Sequence, residues 1–300
     1  MAGVRRWRWL IAVASLVALL GVACGDDADT PGGEVEAEEF DEGTPMADIQ
    51  AKGELTAGVK YDVPPFGFEN PQSGEIEGFD VAIAQRIADK LGVELNAIEA
   101  ISDNRIPFLT DGTADIIVST MTITGDRDAE IDFSTPYYIA QGRILVSKDS
   151  DIAGMPDLEG KRVCTALGST YEGIVTEEIP NVKARTPETY SECFELIQNG
   201  AVDAVVTDDV ILTGMIIQDD SLQLVGEELT VEPYGVGLPE GSADNGMQEF
   251  VNSVVEEMLG DGTWEALFQE WVGQHTGETP EVPTMTLEEA LELRPCVELC

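Results

Sequence analysis

Leu109-Thr110-Asp111-Gly112-Thr113-Ala114-Asp115-Ile116-Ile117-Val118-Ser119-Thr120 is echoed later in the chain by Ile197-Gln198-Asn199-Gly200-Ala201-Val202-Asp203-Ala204-Val205-Val206-Thr207-Asp208. Each copy reads as a helix end, a glycine cap, an aspartate, a short buried strand and a polar exit. Two such α/β units predict two lobes of similar build. Ligands of open α/β sheets bind beyond the carboxyl ends of the strands, so the two exits are the places to look. One offers hydroxyls at Ser119 and Thr120 and runs on through Met121-Thr122-Ile123-Thr124-Gly125-Asp126 to Arg127; the other offers Thr207 and Asp208. An arginine fork suits a carboxylate and an aspartate suits an ammonium. Together the exits suit a zwitterion.

Outward from these units, Glu54 to Lys60 alternates as a half-buried strand, and Val93 to Ile98 reads as another. Phe79, Ile83, Ile87 and Leu91 repeat at helical spacing before Gly92. Tyr61 to Phe68, with Pro64, Pro65 and Gly67, reads as a loop, and Gly74 to Gly78 as a turn. Gly142 to Lys148 is expected to cross between lobes, and Tyr234 to Leu238 to return. Gly168-Ser169-Thr170 opens a helix and offers amides to an anion. Thr186-Pro187 is expected to start the helix that carries Cys193. A helix from about Asn245 to Leu259 and a shorter one holding Trp264, Phe268 and Trp271 finish the first lobe.

Charge narrows the function classes. There are 58 acidic and 16 basic residues, a formal net charge of -42. That excludes the positive footprint that nucleic acid or an anionic membrane surface needs. Repulsion of an anionic ligand is screened beyond roughly 8 Å at physiological ionic strength, so a few cations inside a cleft can still prevail. One histidine, His275, and no Cys-x-x-Cys pair give no metal site.

Arg5, Arg6 and Arg8 before the apolar run Leu10 to Leu20 form an export signal. The run ends in Gly21-Val22-Ala23-Cys24, which looks like a bacterial lipoprotein signal with Cys24 as the lipidated residue. Gly21 stands where that pattern usually has leucine. The alternative is an ordinary secretory signal cut near Ala23. Residues 1-23 are then signal peptide and 24-45 an acidic tether, too charged to pack and long enough to hold the folded part roughly 25 Å from its anchor. Export makes disulfides permissible. Of three possible pairings among the remaining cysteines, Cys164 at a strand end with Cys193 in the next helix but one is favoured, leaving Cys296 and Cys300 to each other or to solvent.

Gly78-Phe79-Asp80-Val81, Asn104-Arg105-Ile106-Pro107-Phe108-Leu109, the stretch from Ser119 to Arg127, Asp132-Phe133-Ser134-Thr135-Pro136-Tyr137-Tyr138, Gly168-Ser169-Thr170, Thr207-Asp208-Asp209 and Tyr234-Gly235-Val236-Gly237-Leu238 occur in one order. In that order they resemble the bacterial ABC-transporter extracellular solute-binding proteins of family 3, which bind polar amino acids, and in particular the glutamate-binding group. The likeness runs from about residue 50 to about residue 273. It implies a type II periplasmic-binding-protein-like α/β fold: two lobes joined by two hinge strands, with lobe 1 as 46-143 and 234-273, lobe 2 as 144-233, and 274-300 a tail without assigned role.

Carried residue by residue, the resemblance implies that Arg127 holds the ligand α-carboxylate, helped by Thr122 and by amides near Ser169 and Thr170. Asp208 takes the α-ammonium with Ser119 or Thr120 assisting, and Arg105 and Lys60 take a distal carboxylate. Tyr61 and Phe66 are candidate pocket walls. The family's aromatic platform normally precedes the Pro-Phe pair; Val63 and Pro64 stand there in this chain. Buried cations left unpaired by an amide would favour glutamate or aspartate over glutamine. The expectation is a lipid-anchored, extracytoplasmic, monomeric receptor without cofactor that delivers L-glutamate to ABC permease subunits in the membrane. The alternatives are a receptor for glutamine or another polar amino acid, a sensory receptor, or an enzyme on the same fold. The last would need an acid or base in the cleft, and there is no Gly-x-Ser-x-Gly elbow or metal cluster.

Overall fold

The computed structural model describes residues 37–277, 279 and 281–295. The signal peptide, Cys24, the start of the tether, Cys296 and Cys300 lie outside the described residues.

Two α/β lobes are built on two sheets. The first has the strand order Glu94–Glu99, Glu54–Val59, Ile116–Ile117, Gly237–Leu238, Asp132–Phe133; its first three strands are parallel and Gly237–Leu238 runs antiparallel to both its neighbours. The second has Lys183–Arg185, Arg162–Cys164, Ala204–Asp208, Tyr138–Ser147, Leu222–Val225, with Val231–Tyr234 pairing the other end of Tyr138–Ser147. The repeat explains itself here. Gly112 at φ +76° and Gly200 at φ +69° turn each chain out of its helix into the left-handed region, which a glycine enters without steric cost. Each aspartate then fastens the neighbouring parallel strand: Asp115 accepts the Thr56 amide at 2.8 Å, and Asp203 accepts the Arg162 amide at 2.8 Å. Both exits therefore emerge at the carboxyl edges of buried strands, Ile116–Ile117 and Ala204–Asp208.

Helix Phe79–Leu91 buries Phe79, Ile83, Ile87 and Leu91 on one face and stops at Gly92, as its period dictates. Helix Met247–Asp261 buries Phe250, Val251, Val254, Val255 and Met258. Between them an aromatic core gathers Phe66, Phe79, Tyr138, Tyr234 and Trp264, with ring centroids 5.0 Å apart for Phe66 and Tyr138 and 5.9 Å for Phe79 and Trp264. Edge-to-face rings at such distances are worth about 0.5–1.5 kcal/mol each beyond their burial. The Trp264 indole donates to the Tyr137 carbonyl at 2.7 Å, so the crossing strand is anchored where it leaves the first lobe.

Several expectations are corrected. The segment read as a loop and turn forms a three-stranded sheet, Asp62–Val63, Gly67–Glu69 and Ile76–Glu77; the prolines mark only its tight corner, where the Phe66 amide donates to the Val63 carbonyl. The crossing strand begins at Tyr138, because its early residues pair with Val231–Tyr234. The helix carrying Cys193 starts at Tyr190, capped by Thr189, while the Pro187 carbonyl accepts the Leu167 amide. Packing begins before Met46: the Phe40 ring meets Phe250 at 5.0 Å and the Glu38 amide donates to the Lys90 carbonyl. The tail is also structured, with helix Leu287–Leu293 closed by a Thr286–Glu289 capping box. No helix of the described residues is long and apolar enough to cross a membrane.

Candidate functional site

A small cavity between the lobes is lined by Ser102, Arg105, Thr120, Thr122 and Arg127 from one side and by Ser169, Thr170, Tyr171, Tyr190 and Asp208 from the other. Roomier hollows of about 310 Å³ beside helix Pro45–Lys52 and about 740 Å³ beside helix Leu287–Leu293 gather no converging cations.

The first jaw is built around a strained residue. Thr120 holds φ +43°, a conformation that a β-branched residue adopts only when its surroundings impose it. Its amide donates to Asp80 Oδ2 at 2.7 Å and its carbonyl accepts Arg105 Nη1 at 3.1 Å. Asp80 is fully buried and also accepts the Tyr137 hydroxyl at 2.8 Å. Burial drives the Asp80 carboxyl up to about 7, against the hydrogen bonds from Thr120 and Tyr137 that favour its charge. Arg105 donates from Nε to the Ser102 carbonyl, from Nη1 also to the Ser119 carbonyl, and from Nη2 across the cleft to the Gly168 carbonyl. Arg127, on the short helix Gly125–Asp128 capped by Thr124, donates to the Thr122 carbonyl at 2.7 Å and the Gly168 carbonyl at 3.2 Å. Burial first, and the charge of Arg105 next, bring the Arg127 guanidinium down to about 9.

Lys60 is 2% exposed, donates to Ser102 Oγ at 2.8 Å, and lies 5.7 Å from the centre of the Tyr190 ring, a cation–π separation. Burial and then Arg105 lower it to about 7. On the second jaw, Asp208 Oδ1 accepts the Tyr171 hydroxyl at 2.7 Å; burial raises its carboxyl, opposed by the tyrosine hydroxyls and by Arg105 and Arg127. Thr207 donates to the Tyr190 hydroxyl. No ion pair among the described residues involves Lys60, Arg105, Arg127 or Asp208. Their hydrogen-bond partners are carbonyls and hydroxyls.

Two glycines set how closely the jaws approach. A Cβ on Gly168, at φ +71°, would lie 2.6 Å from Asp103 Cα, and one on Gly214 would lie 1.8 Å from the Pro64 carbonyl oxygen. The Ser191 amide adds a bond to Asp62 Oδ2 at 2.9 Å between the same two sides.

Of the residues singled out from sequence, Arg105, Thr120, Thr122, Arg127, Ser169, Thr170 and Asp208 share the cavity. Lys60 stands behind it, through Ser102. Ser119 is turned away: its hydroxyl donates to the Ala100 carbonyl, and only its own carbonyl serves Arg105. Tyr61 donates to the Ala97 carbonyl, and Phe66 belongs to the aromatic core. Neither lines the cavity, because the Tyr61 hydroxyl is tied to the strand Glu94–Glu99 and the Phe66 ring is packed among other rings. Sequence reading missed Asp80, Ser102, Tyr171 and Tyr190. Asp80 lay inside a quoted motif, and an acid on an otherwise apolar helix face was the available signal. The sulfurs of Cys164 and Cys193 lie 1.99 Å apart, with Cα atoms 5.6 Å apart.

The chain is 37% identical over 273 residues to the ABC transporter glutamine-binding protein GlnH of Bacillus subtilis (strain 168), covering 89% of this chain and 98% of that protein. It is 32% identical over 292 residues to the glutamate-binding protein GluB of Corynebacterium glutamicum, covering 91% and 94%. Among solved structures, an ancestral arginine-binding protein bound to glutamine superposes with a TM-score of 0.70 at 38% identity, covering 74% of this chain and 98% of that one. Residues 55–274 match the family described as bacterial extracellular solute-binding proteins, family 3, and the chain belongs to it.

Proposed function

We propose that the protein is the amino-acid receptor of an ABC importer and that its ligand is L-glutamate, held between the two jaws without chemical conversion. The observation that carries this reading is the state of the site charges. Lys60, Arg105 and Asp208 are buried and Arg127 is partly so, yet all are bonded to neutral groups. Buried charge is costly until an opposite charge arrives. Burial raises the Asp80 carboxyl and lowers the Lys60 amine, each to about 7, so the two arginines against Asp208 and the protonated form of Lys60 leave an excess of positive charge. A zwitterion bearing one further carboxylate cancels that excess; glutamine would not.

In this reading Arg127 and the Ser169 and Thr170 amides receive the α-carboxylate, Asp208 the α-ammonium with Thr120 beside it, and Lys60 with Arg105 the distal carboxylate. Arg105 has three of its bonds committed to carbonyls of its own lobe, so its charge contributes more than its remaining donors. The named relatives include both a glutamine and a glutamate binder. A glutamine reading gains support from the lowered Lys60, because a neutral lysine removes the demand for a second anion.

The lobes divide as 46–143 with 234–273 and 144–233. Export, lipid attachment at Cys24, a Cys164–Cys193 disulfide, a monomeric state and docking onto permease subunits complete the proposal. Equilibrium dialysis with labelled L-glutamate, L-aspartate and L-glutamine tests it: glutamate should bind at one site, aspartate more weakly, glutamine much more weakly. Preference for glutamine or a basic amino acid would remove the distal roles of Lys60 and Arg105.

A further inference from the structure

The segment 281–295 lies beyond the family match, which ends at residue 274, yet it reaches the site. Its helix Leu287–Leu293 buries Ala290 completely, in a cluster with Leu109, Met121, Ile123 and Phe133, and Met285, Leu287 and Leu291 pack around it. Met121 and Ile123 flank Thr122, so the strap lies directly against the jaw that carries Arg127. Beyond the helix, Arg294 makes three connections. Its carbonyl accepts the Gly125 amide at 2.7 Å, at the first residue of the Arg127 helix. Its Nε donates to the Val231 carbonyl at 3.4 Å, and Nη2 forms an ion pair with Glu232 Oε1.

Glu232 is fully buried on the strand that returns to the first lobe, opposite Ala140 of the crossing strand. Its other oxygen accepts the Thr170 hydroxyl at 3.2 Å, and Thr170 lines the cavity from the second lobe. The path Arg294–Glu232–Thr170 thus joins a strap seated on one lobe, a hinge strand, and the anion-facing turn of the other lobe. A carboxylate this buried needs a cation, and the strap supplies it. Of the cations near the site, this is the one already paired: Lys60, Arg105 and Arg127 await a partner, whereas Arg294 is spent on Glu232.

We propose that the C-terminal segment is an interlobe strap and that Arg294 is a positioning residue, holding the Ser169–Thr170 turn over the ligand through Glu232 and so setting how fast ligand leaves. The proposal rests on the amino-acid reading of the cleft for its ligand. Glu232 links the strap to Thr170 at the cavity, so the strap is expected to steady the turn that covers a bound ligand and hence to act on dissociation more than on encounter.

The test uses the full chain with Arg294→Met, Arg294→Lys, Glu232→Gln and the double variant Arg294→Met/Glu232→Gln, reading release of labelled L-glutamate and L-glutamine by filter assay, and melting temperature separately. Arg294→Met should raise the dissociation rate about tenfold or more with the association rate changed less than about twofold. Arg294→Lys should recover part of the loss. Because the two residues act as one unit, the double variant should release ligand no faster than Glu232→Gln alone. The double variant also leaves no buried unpaired charge, so it reports even if Arg294→Met fails to fold. A dissociation rate unchanged in Arg294→Met or in the double variant, or losses that multiply, overturns the proposal. Should the wild-type chain bind neither amino acid, the ligand reading fails by itself. Hydrogen exchange of residues 168–172 in the ligand-free chain then decides: faster exchange in Arg294→Met supports the strap, and unchanged exchange refutes it.

Discussion

At the first strand exit, Thr120 sits at φ +43° with its amide on a buried carboxylate and its carbonyl on a guanidinium. At the second, Asp208 keeps an ordinary extended conformation, φ -65° and ψ 141°, and its carboxylate is held by a tyrosine hydroxyl. The same backbone plan therefore serves opposite electrostatic ends. The first jaw spends strain and a buried acid to turn its carbonyls toward Arg105. The second spends phenols, which solvate an anion without neutralising it. In both, the charge proposed to meet the ligand is held by neutral dipoles, in the manner of a preorganised polar site.

That symmetry of purpose can be broken from either side. Arg127→Ala should abolish binding of every amino acid tested, a loss of roughly 2–5 kcal/mol, seen as a vanished calorimetric signal; retained binding would make Arg127 a structural residue only. Asp208→Asn should come close to that loss and should fall equally on glutamate and glutamine, since both carry the same ammonium. A selective loss of one would misplace the α-ammonium. Gly168→Ala attacks the approach of the jaws: its Cβ meets Asp103 backbone and its φ suits glycine, so affinity should drop by about 1–3 kcal/mol and small-angle scattering should show a more open particle with ligand present.

The smallest expected effect is on pH. Lys60 is lowered to about 7 by burial and Arg105, so above that pH the free site holds a neutral amine. A distal carboxylate raises the lysine again, so glutamate binding takes up a proton there. Affinity for glutamate should fall by up to about tenfold per pH unit above 7, while affinity for glutamine stays flat. Lys60→Met should flatten the glutamate profile; an unflattened one would assign the proton elsewhere. Folding runs with the opposite sign. Between about 7 and its ordinary 10.5 the folded lysine holds fewer protons than the unfolded one, so its contribution to stability grows as pH rises through that window.

The central strands of the two lobe sheets were legible because glycine caps and buried apolar runs are local signals, and the repeat doubled them; the short strands of the sheet at 62–77, hidden among prolines and glycines, were not. Arg127 and Asp208 were legible because each follows such a run at a fixed place. Ser119 was not: Ile116, Ile117 and Val118 are all buried, and a strand covered on both faces carries no alternation to tell which way the next side chain points. Tyr61 and Phe66 misled because aromatic residues beside prolines look alike in a pocket and in a core. Asp80, Tyr171 and Tyr190 act through partners 40, 37 and 17 residues away in sequence, distances at which spacing says nothing. The tail was left without an assigned role, because the part proposed for Arg294 depends on a single buried acid in a distant strand.

The central claim is that the two jaws hold unpaired charges for an amino acid with a second carboxylate. Side-by-side calorimetry of L-glutamate and L-glutamine on the wild-type protein at pH 6.5 tests it most directly. The account predicts one site that is at least about tenfold tighter for glutamate. Equal affinities, or tighter binding of glutamine, would contradict it.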